Sequence, residues 1–566
     1  MNSISLGIHM GHDRSVSVVQ NGILIGSLAA ERIDRIKHSM SFKVPFETID
    51  KLLDYLKINI FDIKYIGISY AAVKIENLEK YYYDEIVDYY GYWDFTIIPV
   101  SHHLAHAAST YYTSNFKKAL VFIADGGGDL VDGNEESESV YIGTENGLEL
   151  VEQRTQSNII HTLTRKQFHL YPFMNDKFLE EQISIAKKYE QITYMIGFSW
   201  NQAGKTMGLA SYGKDMLQST PIKLKNIQFD LKMADMLKEI YQAYVDSGLS
   251  YIAFIRKYRQ DIARSIQSYT ENIIFSILDY LLKKYEIYEV CLAGGLFLNC
   301  LLNHKILERY PEVRLHICPA AGDDGQSIGA AFVAYQRFND KKLYVKNKTI
   351  PYLGLSYNDM DILESIKKYR LTYDHFSDKK DLSKIIADEI NNNKIIGFFT
   401  GRSEIGPRAL CHRSIIANAT WDGMKDYINE RVKHREAFRP FAPVVLKEFE
   451  KEYFHLKQTS PYMLLAPLAN KKHSNQIPAV VHVDQTARVQ SVSKEDNPFI
   501  YDVIFEFYQI TGIPVILNTS FNDNGEPIVE SPNDAINTFL TTNIDILVLE
   551  NYIIYKNTED NNNDME

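Results

Sequence analysis

Cysteine is scarce in this chain. Its four residues, Cys291, Cys300, Cys318 and Cys411, form no C-x-x-C pair, which excludes a disulfide framework and agrees with a reducing compartment. Long apolar runs are missing too: none approaches the roughly 18 residues that a membrane-spanning helix needs. The opening MNSISLGIHM has neither the charged nor the apolar stretch of a secretory signal, so a soluble cytoplasmic protein is expected. An excess of positive charge is also lacking. The net charge is −11, which argues against broad, non-specific polyanion binding and leaves room only for a local basic pocket. The G-x-x-x-x-G-K-S/T spacing of a Walker loop is absent.

What is present is globular. Hydrophobic residues make up 45% and charged ones 23%, and only the tail EDNNNDME reads as disordered. At 566 residues one core cannot serve the whole chain, and two or three domains are the default.

The stretches that carry chemistry begin with PVSHHLAHA, Pro99 to Ala107. His102 and His106 stand four apart among small apolar residues, which on a helix places both imidazoles on one face. In PAAGDDGQ, Asp323 lies on a Gly-rich turn after the apolar run VRLHIC and can bring a carboxylate to the same ion. Two imidazoles and one carboxylate with open positions suit Fe(II) or Zn(II), iron if the ion is six-coordinate. A histidine pair on a helix also serves packing or capping, so its company decides.

In chain order, Ile4 to Ile8, Val16 to Gln20 and Ile23 to Ala29 are predicted strands, with Asn21-Gly22 as a hairpin turn. Gly11-His12-Asp13 sits on the first turn, as in the opening of actin-like and sugar-kinase-like ATPases. Leu120 to Ala124 reads as a buried strand that runs into Asp125-Gly126-Gly127-Gly128-Asp129. Its glycines let a ligand approach the backbone, and Asp125 can reach a metal or a hydroxyl; the bland alternative is a tight hairpin loop. Gly204-Lys205-Thr206-Met207-Gly208 offers small residues and one cation to an anionic ligand. Tyr251 to Tyr285 has the spacing of one long amphipathic helix. It leads into VCLAGGLFLNCLLN, a strand entering Gly294-Gly295 and then a helix carrying Asn299, whose free N–H groups favour a phosphate or a nucleoside.

Between about Ala334 and Leu355 the apolar period is lost in the lysine-rich NDKKLYVKNK. The domains are set there, at 1–345 and 346–566. The second half concentrates cations. GRSEIGPRALCHRS holds Arg402, Arg408 and Arg413; RVKHREAFRP holds Lys433, Arg435 and Arg439; VDQTARVQ holds Arg488; and a strand ends at Asn518, Thr519, Ser520 and Asn522. These cations are interleaved with Phe, Pro and Ala and lack the Glu partners of a solvated helix. Converging with strand-end hydroxyls and amides, they suit several phosphate oxygens. The alternatives are structural ion pairs or nucleic-acid binding.

HHLAHA, DGGGD, GKTMGLASYG, AGGLFLN, AGDDG, GRSEIGPRAL, REAFRPFAP, DQTARVQ and NTSFNDNGEPIV, taken in this order over nearly the whole chain, resemble the O-carbamoyltransferases that include the nodulation-factor, cephamycin, novobiocin and tobramycin enzymes. The resemblance implies an α/β protein, an actin-like domain of the Kae type fused to a smaller YrdC-like domain. It also implies two reactions. Carbamoyl phosphate and ATP, with Mg(II), would give carbamoyladenylate in the second domain. The carbamoyl group would then pass to an acceptor hydroxyl in the first, beside Fe(II) or another divalent metal held by His102, His106 and Asp323. Carried over by motif, Arg408, Lys433, Arg439, Arg488 and Ser520 would bind carbamoyl phosphate and the ATP phosphates, with Asn518 beside them. Gly294, Gly295 and Asn299 would face adenosine, and Gly127 and Lys205 would line the ligand. His12 or Asp125 is the candidate acceptor of the hydroxyl's proton. Asp324 can stand in for Asp323 by type, and His103 for His102, but the family's spacings select Asp323 and the pair four apart.

Two rivals remain: a threonylcarbamoyl-type tRNA-modifying enzyme, which the acidic net charge makes harder to explain, and a non-catalytic nucleotide-binding regulator of the actin-like superfamily. The acceptor itself is not spelled out by side-chain types; the loop region Asp129 to Glu181 is a candidate to line its pocket.

Overall fold

The computed structural model describes residues 3–70, 77–156, 182–217, 224, 226–229, 233–338 and 351–556. The boundary expected at 345/346, the C-terminal tail and residues 157–181 of the expected acceptor loop lie outside the described residues. Packing divides the chain into a first unit, Met1–Ala30 with Ser39–Thr349, and a second, Glu31–His38 with Ile350–Glu566. No helix among the described residues is long and apolar enough to cross a membrane.

The first unit uses one sheet design twice. Strands β1 (Ile4–Met10), β2 (Ser15–Gln20) and β3 (Ile23–Ala29) form an antiparallel meander. The meander turns at Asn21 (φ 52°) and Gly22 (φ 80°), the left-handed pair that a two-residue hairpin requires. On the other side of β1, β4 (Tyr65–Tyr70) and β5 (Thr96–Pro99) add in parallel, giving the order β3-β2-β1-β4-β5. The second sheet starts with β6 (Ala119–Ala124), passes the short β7 (Leu130–Val131), and continues through β8 (Asn134–Thr144) and β9 (Gly147–Gln156). It closes with β10 (Glu289–Ala293) and β11 (Arg314–Ile317). Here β8 runs antiparallel to β6 and β9 to β8, while β10 and β11 add in parallel on the far side of β6. The same order and the same directions recur, which is the actin-like arrangement.

Glycine lets the helices lie directly on this framework. Helix α1 (His102–Tyr111) follows β5; α2 (Ala203–Ala210), α3 (Tyr251–Tyr285) and α4 (Cys300–Arg309) come later, and α5 (Gln326–Tyr335) ends the sequence of elements used by the site. A Cβ on Gly7 would stand 2.0 Å from the Ser327 carbonyl oxygen, and one on Gly67 2.1 Å from that of Ala330. On the far side of α5, a Cβ on Gly329 would meet the Ala105 carbonyl at 1.8 Å. The sheet, α5 and α1 therefore stack at backbone contact, sealed by Ile98, Val100, Ala105, Ala330 and Ala334. Serines peg the layer: Ser5 Oγ donates to the Ala331 carbonyl (2.8 Å), and Ser15 Oγ to Ser327 Oγ (2.8 Å). The expected helix from Tyr251 to Tyr285 is one 35-residue element, capped by Ser250.

The second unit is an α/β domain on an eight-stranded mixed sheet. Its strands are β12 (Asp374–His375), β13 (Ile396–Phe399), β14 (Arg413–Ala417), β15 (Ala442–Leu446), β16 (Gln490–Val492), β17 (Val515–Ser520), β18 (Ile546–Leu549) and β19 (Tyr552–Tyr555). They lie in the order β12-β19-β18-β13-β14-β17-β15-β16. Helices α6 (Lys379–Asn391) and α7 (Pro498–Thr511) cover the sheet through Leu382, Ile386, Ile500, Val503 and Phe507, packed on Phe398, Ile416 and Val444. Arg488, expected within a β segment, sits in irregular chain just before β16.

Candidate active site

The site of the first unit forms where the strands that open the two sheets end. β6 delivers Asp125, and the turn after β1 delivers His12 and Asp13. α1 contributes His102 and His106 from successive turns, and the 3-10 turn Asp323–Gly325 before α5 contributes Asp323. The start of α1 is fixed by Asp129, whose Oδ2 accepts the main-chain N–H of His102 at 3.1 Å. An anion there satisfies an otherwise orphaned donor and complements the helix dipole.

His102, His106, Asp125 and Asp323 each offer one ligand atom, and these atoms all lie within 4.8 Å of one another. His106 Nε2 is 3.2 Å from Asp323 Oδ1, and His102 Nε2 is 3.2 Å from Asp125 Oδ2. Two buried imidazoles and two buried carboxylates crowd one point, while His106 Nδ1 and Asp323 Oδ2 make no hydrogen bond. Nitrogen and carboxylate donors at this spacing fit a divalent transition metal. Burial alone would lower the pKa of His102, but the charge of Asp323 and the bond to Asp125 outweigh it and raise the imidazole to about 10. Burial would raise both carboxyls, and the facing histidines hold them well below the usual range instead.

His12 stands at the rim, its side chain one-third exposed (33%), with Nε2 3.1 Å from Asp323 Oδ2 and Nδ1 2.9 Å from Asp13 Oδ2. Burial opposes its charge, yet Asp323 and Asp13 push it up to about 9. The indole of Trp200 presents an edge to it at 5.2 Å. Both oxygens of Asp125 are engaged, Oδ2 facing the His102 and His106 imidazoles and Oδ1 accepting the Gly295 N–H at 2.6 Å, so Asp125 stands with the donor group. His103 turns away, Nδ1 lying 2.7 Å from Ser139 Oγ, and Asp324 is outside the donor group.

Gly294 (φ 101°) sits where a Cβ would come 2.3 Å from the Ala124 carbonyl, so only glycine lets the ends of β6 and β10 meet. Asn299 does not lie on the helix but caps it: Oδ1 accepts from Leu302 N (3.1 Å) and Nδ2 donates to Gln267 Oε1 (2.8 Å). Its buried amide is hydrogen-bonded within the fold. Gly127 lies beside Glu135 and Gln156, and Lys205, on α2, holds its ammonium 5.7 Å from the Phe198 ring. Sequence reasoning missed Gln326, whose Nε2 lies 3.1 Å from His106 Nε2 and 3.2 Å from Asp323 Oδ1, with its Oε1 taking the Ser69 hydroxyl. It also missed His9.

In the second unit a buried Lys433 ends a π-helical turn, Asn429–Lys433. Its ammonium donates to the Ser520 carbonyl (2.6 Å), the Asn522 carbonyl (2.7 Å) and Asn522 Oδ1 (2.8 Å). Burial, then Arg435, Lys37 and Arg439, hold its pKa well below the ordinary lysine value. Burial together with Arg439 and Arg488 pushes Arg435 down to about 9. Residues far apart in sequence thus gather like charges, Glu436 being the nearest carboxylate to Arg439 at 3.9 Å. Ser520 Oγ donates to Asn522 Oδ1 at 2.7 Å. Asn518, expected to face a ligand, is buried, its Nδ2 donating to Ala409 O (3.1 Å) and Gln490 Oε1 (3.1 Å); the neighbouring Arg408 is half-buried. Arg402 and Arg413 follow the structural alternative, tied to main-chain carbonyls, with Arg413 stacked 3.6 Å over Phe399.

Residues 94–332 match the family described as Carbamoyltransferase N-terminus, and residues 387–556 match Carbamoyltransferase C-terminus. The nodulation protein NolNO of Sinorhizobium fredii is 31% identical, the alignment covering 98% of this chain and 81% of that one. An uncharacterized protein of Methanocaldococcus jannaschii is 32% identical, with 97% and 99% covered. Among solved structures, full-length HypF in its phosphate- and nucleotide-bound form superposes with a TM-score of 0.42 at 16% identity, covering 60% of this chain and 56% of that one; so distant a likeness carries no argument. With both family regions matched in order and such relatives spanning nearly its full length, the chain belongs to the carbamoyltransferase family and is a carbamoyltransferase enzyme.

Proposed function

We propose that this carbamoyltransferase works in two stages, each in its own unit, the second unit being of the YrdC type. In the second unit, carbamoyl phosphate and water give carbamate and inorganic phosphate. A carbamate oxygen then attacks the α-phosphorus of ATP, the bond to the β-phosphate oxygen breaks, and carbamoyladenylate and pyrophosphate result. In the first unit an acceptor hydroxyl attacks the carbamoyl carbon, AMP leaves, and an O-carbamate forms. The acceptor is a hydroxyl of a small molecule, a sugar or a hydroxymethylated base.

The observation that carries this reading is the gathering of Lys433, Arg435, Arg439 and Arg488, with carbonyls and an amide as the partners of Lys433. Like charges held together underground are stabilised when polyanionic phosphates arrive, and phosphoryl chemistry is mostly such positioning and neutralisation. Lys433 and Arg439 are assigned to the reacting phosphates, with Arg408, Arg488 and Ser520 binding around them and Mg(II) accompanying ATP. In the first unit His102, His106 and Asp323, with Asp125 as a fourth donor, would hold Fe(II) or another divalent ion, which supplies Lewis-acid polarisation of a carbamoyl or phosphate oxygen when bound. His12, oriented by Asp13 at 2.9 Å, is assigned to the acceptor's proton at Nε2; Asp323 and Asp13 raise its pKa to about 9, and a divalent ion held by Asp323 would neutralise much of that carboxylate's charge and return the imidazole to a base near neutral pH. Gly294, Gly295, Gly127 and Lys205 line the nucleotide.

Two variants separate the stages. His102→Ala is expected to lose carbamoyl transfer by at least a hundredfold while carbamoyl-phosphate-dependent release of pyrophosphate from ATP persists; Arg439→Ala should lose that release. If both changes abolish pyrophosphate release equally, the division of labour is wrong. A wild-type protein that releases none with any acceptor would be a regulator.

A further inference from the structure

β1 alternates its faces, so Ser5, Gly7 and His9 look the same way. Ser5 bonds α5, and Gly7 lets the backbone of α5 approach. His9, at the end of this row, is fully buried, and neither ring nitrogen has a hydrogen-bond partner. Its Nε2 lies 3.8 Å from Asp323 Oδ2, and its ring meets that of His102 edge to face at 6.2 Å. Asp323 Oδ2 also makes no hydrogen bond. A buried imidazole without a partner thus faces, across a gap slightly too long for a bond, the carboxylate oxygen that His12 approaches from the rim at 3.1 Å.

The two oxygens of Asp323 divide their surroundings. Oδ1 faces His106 (3.2 Å) and His102 (3.6 Å), whereas Oδ2 faces His12 (3.1 Å) and His9 (3.8 Å). His9 is not one of the four mutually close donors. We propose that His9 is a positioning residue of the metal site, donating Nε2–H to Asp323 Oδ2 and so fixing Oδ1 toward the ion. The inference rests on the metal reading above. Partners of ligating groups set orientation and basicity, and losing one typically weakens metal binding 10–100-fold.

The test is a titration of metal-free, full-length protein with Co(II) against a chromophoric chelator, together with the visible d–d spectrum at saturation. His9→Phe should bind Co(II) about 10–100-fold more weakly, with an unchanged d–d spectrum because no ligand is lost. His9→Gln, which keeps a donor at the same reach, should recover most of the affinity; His9→Ser provides a second loss variant if the phenylalanine prevents folding. Wild-type affinity in His9→Phe or His9→Ser overturns the proposal, and so does a changed d–d spectrum, which would make His9 a ligand. His102→Ala distinguishes the two levels. If it loses Co(II) while the His9 variants do not, His9 alone is misassigned; if wild type binds no Co(II), the metal reading falls and takes His9 with it.

Discussion

His412 shows what burial does to a titrating group outside the four-donor group of the first unit. Its ring stacks on Tyr352 at 3.6 Å, and its Nδ1 is 2.6 Å from the Arg402 carbonyl. Burial pushes it down to about 4. The unfolded chain protonates this histidine below about 6.5, the folded chain not until about 4. Its contribution is therefore intact above pH 6.5 and is lost as pH falls toward 4, at up to about 1.4 kcal/mol per pH unit. His412→Phe keeps the stacking and removes the titration, so its urea midpoint should fall less steeply than that of wild type between pH 6.5 and 4.5; parallel slopes would contradict this. At the same scale, legibility depended on what a side chain is spent on. His102, His106 and Asp323 were readable because helical spacing and a glycine turn suffice to aim them. The bonds of the Asn299 and Asn518 amides to Gln267 and Gln490 were not legible, because these partners stand about thirty residues away and no local pattern reveals them. His9 and Gln326 gave no signal, since one sits in a strand of apolar and small residues and the other opens an ordinary apolar helix.

Among elements, the stack of α1 on α5 sets the ligand geometry. Gly329→Ala would place a Cβ 1.8 Å from the Ala105 carbonyl, forcing α1 away and carrying His102 and His106 with it. Overpacking against backbone costs typically 1–3 kcal/mol, and Co(II) affinity should fall with the melting temperature. Gly204→Ala is the contrast. Nothing lies within 4 Å of its Cβ, and alanine should stabilise α2 by about 0.5–1 kcal/mol; thermal melts of both variants check the pair. A second element-level device is the stretch Glu31–His38. Arg35 donates to the carbonyls of Ile528 (2.7 Å) and Pro527 (3.0 Å), and Asn522 Nδ2 donates to the Glu526 carbonyl (2.6 Å). The loop that presents Asn522 to Lys433 is thus held from behind. Arg35→Ala should slow carbamoyl-phosphate-dependent pyrophosphate release about tenfold, roughly 1.4 kcal/mol, and leave Co(II) binding unchanged. The hairpin at Asn21-Gly22 and the long helix Tyr251–Tyr285 were legible because turn chemistry and periodicity are local. The Glu31–His38 stretch was not, because its charged composition is that of any surface segment.

For the whole molecule, the doubled sheet could not be read from the chain as a repeat. What recurs is strand order and direction; the second copy separates β9 from β10 by more than a hundred residues, and the two central strands, ISLGIHM and ALVFIA, share only their burial. The second unit is discontinuous in sequence, since Glu31–His38 packs with Ile350–Glu566. Expressed alone, residues 351–556 should melt lower than the same piece supplied with a synthetic 31–38 peptide; identical melting in a thermal-shift assay would show that the segment adds nothing.

A protease nick anywhere in 339–350 has an unusual result in such a chain. Each product keeps the sheets described for its unit, yet the eight residues that brace the loop presenting Asn522 to Lys433 stay covalently on the amino-terminal product. Gel filtration without denaturant should therefore return one peak where an electrophoretic gel returns two bands, and genetic halves of this enzyme would have to be cut along a boundary that is not a single point.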